Sequence, residues 1–280
     1  MRVKTEVRDY NEIDILYTLM TYINVSSVED MHYVIAHTVL TNLERIPSIS
    51  INDLADLCFT SPATISRFCK DMNCKNFASF KKELAIALKI ASDEIHIDTN
   101  TLQTIQEDPQ ELIHKIYKDT KLSLIESQQN VKIEDVDQIC QYIHDAKNVH
   151  MMGYQFSKIV CTDFQLKMLK LKKFVYAFVN RGGEIQKLDI IKKDDLVIIV
   201  TVGAREELMN ALVKKIKERE AKILMLTMNH TYNNPSVDYY YYLDGYESSY
   251  TQSSIMGSID MVSFLNCIYV RYGLLYDNHK

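Results

Sequence analysis

Residues 48–82 read SISINDLADLCFTSPATISRFCKDMNCKNFASFKK: a short helix, a tight polar turn, and a second helix whose apolar and basic residues lie on opposite faces. Counted from Pro62 at about 100° per residue, Ile65, Phe68, Cys69 and Met72 fall on one stripe, the i, i+3, i+4, i+7 pattern of a packed helix. Ala63, Arg67 and Lys70 point the other way. Ser61 is placed to cap the helix start, and Pro62 suits the first helical position, where no amide donor is needed. In the preceding helix Ile51, Leu54, Ala55 and Cys58 can pack against that stripe, with Ser50 or Asn52 as its cap and residues 58–61 as the connection. Such a hairpin can enter a DNA major groove, with Ala63 and Thr64 at the tip and Ser66, Arg67 and Lys70 behind. Arg67 has the donor geometry to read guanine. A plain helical hairpin with a solvated polar face shows the same pattern, and charge separates the two readings.

Residues 1–59 carry four Lys/Arg against nine Asp/Glu, whereas residues 60–92 carry six against two. The basic excess therefore accompanies the second helix. Lys75, Lys81 and Lys82 follow in a segment whose Phe77 and Phe80 can pack inward, so these lysines are placed to meet phosphates flanking the groove. With a net charge of −5 over the whole chain, any DNA contact is local. Two further helical patterns precede the hairpin: Ile13, Leu16, Met20 and Ile23, then Met31, Val34, Ile35, Val39, Leu43 and Ile46. Ser26 or Ser27 can cap the second of these, and Pro47 marks its end.

The run from Ile51 to Leu88, centred on SPATISRFCKDMNCKNFASFKKELAIAL, resembles the N-terminal helix-turn-helix domain of RpiR-type transcriptional regulators. The resemblance rests on the S-x-A-T-I-x-R-F-C-K core, a short loop, a lysine, F-x-x-F-K and an apolar helix. It implies a two-domain regulator whose second half is a sugar isomerase (SIS) domain sensing a phosphorylated sugar, with the N-terminal helices supporting the reading unit and contributing to dimer contact. A dimer would meet half-sites about one DNA turn apart, roughly 34–36 Å, or a multiple of that.

A length of 280 residues fits two domains, each with its own core, and 47% hydrophobic with 25% charged residues fits a globular protein. The opening MRVKTEVRDYNE has no apolar stretch of the kind a secretion signal carries, and no segment approaches the 18 or so uninterrupted apolar residues of a membrane span. A cytoplasmic protein without membrane contact is expected. The six cysteines, at 58, 69, 74, 140, 161 and 267, form no C-x-x-C pair, and His32 and His37 lack the i, i+4 spacing of a zinc helix. Neither a metal nor a cofactor is expected.

Residues 93–110, SDEIHIDTNTLQTIQEDP with its neighbours, are polar and lack a sustained period, which predicts a linker between a helix-turn-helix domain over 1–92 and a second domain over 111–280. Helices are predicted from about Gln110 to Gln128 and Ile133 to Ala146. From Asn148 short apolar runs alternate with helical stretches: VHMMG, KFVYAFV, DLVIIVTVG, AKILMLT and DYYYYL. That texture predicts a five-stranded parallel sheet wound as βαβ units, an α/β domain of the SIS type behind an all-α first domain. A last helix from about Ser253 to Tyr272 would cover one face.

Ligands of open parallel sheets bind beyond the carboxyl ends of the strands, here at Gly153–Ser157, Thr201–Glu206 and after Thr227. The resemblance implies G-x-G-x-S after the first strand and S-x-S-G-x-T after a later one. This chain has GYQFS and TVGAREE. Gly153 and Ser157 remain, Gln155 replaces the second glycine, Thr201 keeps a hydroxyl, and Gly203, Ala204 and Glu206 stand where serine, glycine and threonine are expected. A phosphate cradle needs closely approaching amides and hydroxyl donors, so Glu206 and Glu207 would repel the anion, while Arg205 could offer a bidentate contact. Ser253 adds a hydroxyl at the rim, where in this fold it often comes from the neighbouring subunit, or caps the last helix. Two readings stay open: a pocket for an altered effector, such as a differently shaped sugar phosphate or an amino sugar, or a dimerisation scaffold that has lost its ligand. Isomerase chemistry would need a positioned base such as Glu206, Glu207 or Glu247, and has no use for some ninety residues of DNA-reading domain.

Overall fold

The five apolar runs form one sheet in the computed structural model, which describes residues 15–72, 74–93, 99–153, 156–177, 188–204, 206–245 and 254–277, with backbone alone at 89–93, 99–102, 207–208 and 254–255. The strands are β1 (Val149–Gly153), β2 (Val175–Ala177), β3 (Leu196–Thr201), β4 (Lys222–Thr227) and β5 (Tyr239–Tyr242). All pair in parallel, in the order β2-β1-β3-β4-β5. β1, β3 and β4 are buried on both faces almost throughout, which is why their sequences read as continuous apolar runs rather than alternating ones. Residues 178–179 of the KFVYAFV run lie outside the described residues.

The helices of this α/β unit are α6 (Thr99–Glu107), α7 (Gln110–Asn130), α8 (Ile133–Asp145), α9 (Phe156–Lys170), α10 (Glu206–Lys217) and α11 (Ser254–Tyr276). One face of the sheet, Val149, Met151, Ile198, Val200, Leu224 and Leu226, shares a core with α8, α9 and α11. Their sequence neighbours Val197, Ile199, Ile223 and Met225 are equally buried on the opposite face. The chain leaves β1 through α9 to β2 on one side, then runs through β3 and β4 to β5 on the other. The strand order thus reverses between β1 and β3, and their carboxyl ends flank a crevice.

Contacts divide the chain into this unit and a helical one, with the change at Ser92 and Asp93. The stretch 93–110, expected as linker, contains α6, which packs against α7. Thr99–Glu107 carries too few apolar residues for its period to show; contact with α7 makes it helical.

The helical unit comprises α1 (Ile15–Val25), α2 (Met31–Leu40), α3 (Ile51–Leu57), α4 (Pro62–Asp71) and α5 (Phe77–Asp93). Its core gathers Leu19, Ile35, Val39, Ile46, Leu54, Ile65, Phe68, Phe80 and Leu84. Two expectations are corrected. Asp30, not Ser26 or Ser27, caps α2, accepting from the His32 amide at 2.8 Å. The same helix stops at Leu40, well before Pro47: Thr41 Oγ1 donates to the His37 carbonyl and Asn42 Nδ2 to the Thr38 carbonyl, both at 2.8 Å, and side chains that bond back in this way compete with the next helical turn.

Candidate functional site

Helix α4 is fixed at both ends and along one side. At its start the Ser61 hydroxyl accepts from the Thr64 amide at 3.2 Å, and Pro62 occupies the first turn. Ile65, Phe68 and Cys69 are buried on the predicted stripe, and Met72 follows them. At the far end His32 reaches from α2, with Nε2 2.9 Å from an Asp71 carboxylate oxygen and its ring stacked on Tyr22. α3 is capped in turn by Ser50, which exchanges bonds with Asp53 in a capping box that holds the Asp53 carboxyl below its usual range. Ser61→Ala is expected to destabilise the unit by about 1 kcal/mol, read as a lower urea midpoint.

Opposite the buried stripe, Ala63, Arg67 and Lys70 are exposed, with Thr64 and Ser66 half-buried beside them. Among the described residues no ion pair or hydrogen bond engages Arg67 or Lys70. Lys75 and Lys82 are exposed as well. Lys81 departs from the expectation. Its ammonium donates to the Ile49 carbonyl at 2.8 Å and lies 5.3 Å from the centre of the Phe77 ring, so it ties α5 to the start of α3 rather than reaching outward.

In the crevice between β1 and β3, Gly153 ends β1 and Ser157 lies in the first turn of α9, 7% exposed. A Cβ at Gly153 would come within 2.6 Å of the Ser157 Cβ, so strand-to-helix packing alone demands glycine there, whatever a ligand needs. Beyond β3 the loop is closed on itself. Thr201 Oγ1 accepts from the Ala204 amide at 3.0 Å, and Asn229 Nδ2 donates to the Gly203 carbonyl at 2.8 Å. Ala204 keeps the left-handed backbone, φ 39°, of the glycine it replaces. Glu206 opens α10 and is exposed. Gln155, Arg205 and Ser253, the remaining candidates, lie outside the described residues.

Three features of this region escaped the sequence reading. Lys158 is 2% exposed and sits beside Ser157 in the first turn of α9. The signal was present, since Lys158 falls on the stripe of Cys161, Phe164 and Met168, where a lysine is out of place. Asn229, just past β4, ties the ends of β3 and β4 together and had no motif to mark it. Asp260 of α11 is fully buried, accepts from the Ser123 hydroxyl of α7, and has its carboxyl pushed up by burial, with Glu126 adding to the shift against the Ser123 bond. Among the described residues no helix is long and apolar enough to cross a membrane, and no group of three His, Cys, Asp or Glu could hold a metal ion.

Residues 24–91 match the helix-turn-helix domain of the rpiR family, and residues 142–264 match the SIS domain; together they cover more than half of the chain. The chain belongs to the RpiR-type regulators. It is 23% identical over 198 residues to the HTH-type transcriptional regulator RpiR of Escherichia coli K12, a match covering 69% of this chain and 63% of that one. This RpiR-type chain thus spans less than two thirds of that relative's length. It is 25% identical over 243 residues to an HTH-type transcriptional regulator of Clostridium perfringens, covering 82% of each. In fold, the α/β unit is similar to the sugar-binding-sized chain of an E. coli CFT073 protein, at 15% identity and a TM-score of 0.51, over 59% of this chain and 92% of the other.

Proposed function

We propose that the chain is a sequence-specific DNA-binding regulator of genes for carbohydrate uptake or metabolism, with α4 as its reading helix and a sugar-phosphate-like anion as its effector. The observation that carries the DNA half is α4 itself. A helix capped by Ser61, clamped by His32 and buried along Ile65, Phe68 and Cys69 has one orientation, and that orientation turns Arg67 and Lys70 outward together. Self-association through the α/β unit would supply the two-fold axis for paired half-sites. The test is competition: the full chain is used to enrich a duplex from a randomised library, and its affinity for that duplex is compared with that for random DNA. Equal affinities would reject the reading. Lys82→Ala is expected to lower the slope of log affinity against log salt by about one, while Lys81→Ala lowers the thermal midpoint with the slope unchanged.

For the effector, support comes from the reversal of strand order between β1 and β3, where the first turns of α9 and α10 bring two helix N-termini to one crevice with Ser157 in it. Titrating the protein–duplex complex with a panel of pentose, hexose and amino-sugar phosphates should shift DNA affinity for at least one of them. A second reading has its own observation: the Thr201 to Ala204 loop uses Thr201 Oγ1 and the Gly203 carbonyl internally. If none of these compounds changes DNA affinity, the α/β unit is a scaffold for pairing. Both readings make the chain a regulator rather than an isomerase, and turnover of a pentose or hexose phosphate by the purified protein would overturn that.

A further inference from the structure

Between α3 and α4 the chain turns through Phe59, and two facts about this residue conflict with a purely structural role. Its backbone is left-handed, φ 51°, and its side chain is 94% exposed. The turn closes α3 with a pair of crossed bonds, the Phe59 amide to the Asp56 carbonyl at 3.1 Å and the Thr60 amide to the Ala55 carbonyl at 2.9 Å. This is the Schellman arrangement, whose left-handed position is normally glycine, because a Cβ there is crowded by the backbone. A bulky aromatic residue in that conformation is an outlier. It gains nothing back from the fold: Phe59 belongs to neither core cluster, and among the described residues no ring stacks on it.

We infer that Phe59 is a DNA-contacting residue, whose ring packs against a thymine methyl group in the major groove beside the entry of α4. This rests on the DNA-reading role of α4. Phe59 stands two residues before Ser61, the cap of α4, so it is carried to whatever surface that helix start approaches. The neighbouring exposed groups, Arg67 and Lys70, are cationic and suited to guanine edges and phosphates, and the segment 60–92 that follows carries the chain's basic excess. An uncharged ring at the edge of such a surface has one apolar partner on the base-pair edges, the C5-methyl of thymine. The contact would add sequence preference next to the bases met by Ala63 and Arg67, and it would be independent of salt because no counterion is released.

The test uses the full chain and a duplex it has itself enriched from a randomised library. Phe59→Gly should raise the thermal midpoint, since glycine relieves the left-handed turn, and yet weaken binding about tenfold with an unchanged salt slope. Replacing single thymines by deoxyuridine, which removes only the methyl, should weaken the unmutated protein at one position per half-site and leave Phe59→Gly indifferent at that position. A Phe59→Gly protein that binds as tightly as the unmutated one, or that keeps the same deoxyuridine sensitivity, overturns the inference while leaving α4 as the reader. An unmutated protein that holds enriched and random duplexes alike overturns both.

Discussion

Arg67→Ala is expected to abolish most of the chain's preference for its enriched duplex, at a cost of about 1–3 kcal/mol for each arginine that meets a guanine. On a duplex with two half-sites a dimer uses two such arginines, and independent contacts add, so the combined loss is about 2–6 kcal/mol. Folding should be untouched, because Arg67 is exposed and engages no partner among the described residues. Its neighbour Phe68 is the internal comparison. Phe68 is 2% exposed and packs its ring against Phe80, so Phe68→Ala would lower binding by unfolding the helical unit rather than by removing a contact. Binding isotherms on enriched and random duplexes, taken with thermal melts, separate the two. A specific-to-random ratio left intact in Arg67→Ala would remove Arg67 from the reading face.

How much of this was legible beforehand differs between the two halves, for physical reasons. The DNA-reading hairpin is decided by local rules: period 3.6 along Ile65, Phe68, Cys69 and Met72, a serine cap, and a proline at the first helical position. Each of these acts within about ten residues of sequence, and the structure realises them. Lys81 was misplaced because its partner, the Ile49 carbonyl, is 32 residues away and nothing in the local pattern announces it. The end of α2 was misplaced because Thr41 and Asn42 redirect the backbone through side-chain bonds that an apolar period does not register.

In the α/β half, strand identity followed from the unbroken apolar runs, and parallel pairing followed from the helices between them. The crevice was located by topology, but its contents were not. Whether Thr201 offers its oxygen to a ligand or to Ala204 depends on the path of the loop, and whether Gly153 serves an anion or the approach of Ser157 depends on how α9 docks. Lys158 and Asp260 are ordinary charged residues on paper. Burial alone makes them unusual, and burial is a property of the assembled core.

Asp195→Ala should be among the most damaging single changes in the α/β unit. The carboxylate sits at the start of β3, 2% exposed, and accepts from three donors: His150 Nε2 at 2.9 Å, Asn148 Nδ2 at 2.8 Å and the Lys192 amide at 2.9 Å. Removing it strands those donors around a cavity, a loss of about 3–5 kcal/mol. The same cluster sets a pH dependence. Burial lowers the His150 pKa, against the pull of Asp195's hydrogen bond and charge, so the unfolded chain binds this proton more readily than the folded one. Stability therefore falls as pH drops below the unfolded histidine value of about 6.5. Asp195 is also held low, its desolvation outweighed by the bonds from Asn148, Lys192 and His150, so its contribution is present above the unfolded carboxylate value of about 3.9 and is lost as pH falls through its folded pKa. Both groups act in the same direction, in two separate windows. Urea midpoints measured from pH 7 to pH 3 should show an upper limb that disappears in His150→Gln and a lower one missing from Asp195→Ala. An acid limb that survives unchanged in both variants would mean that another buried group carries it.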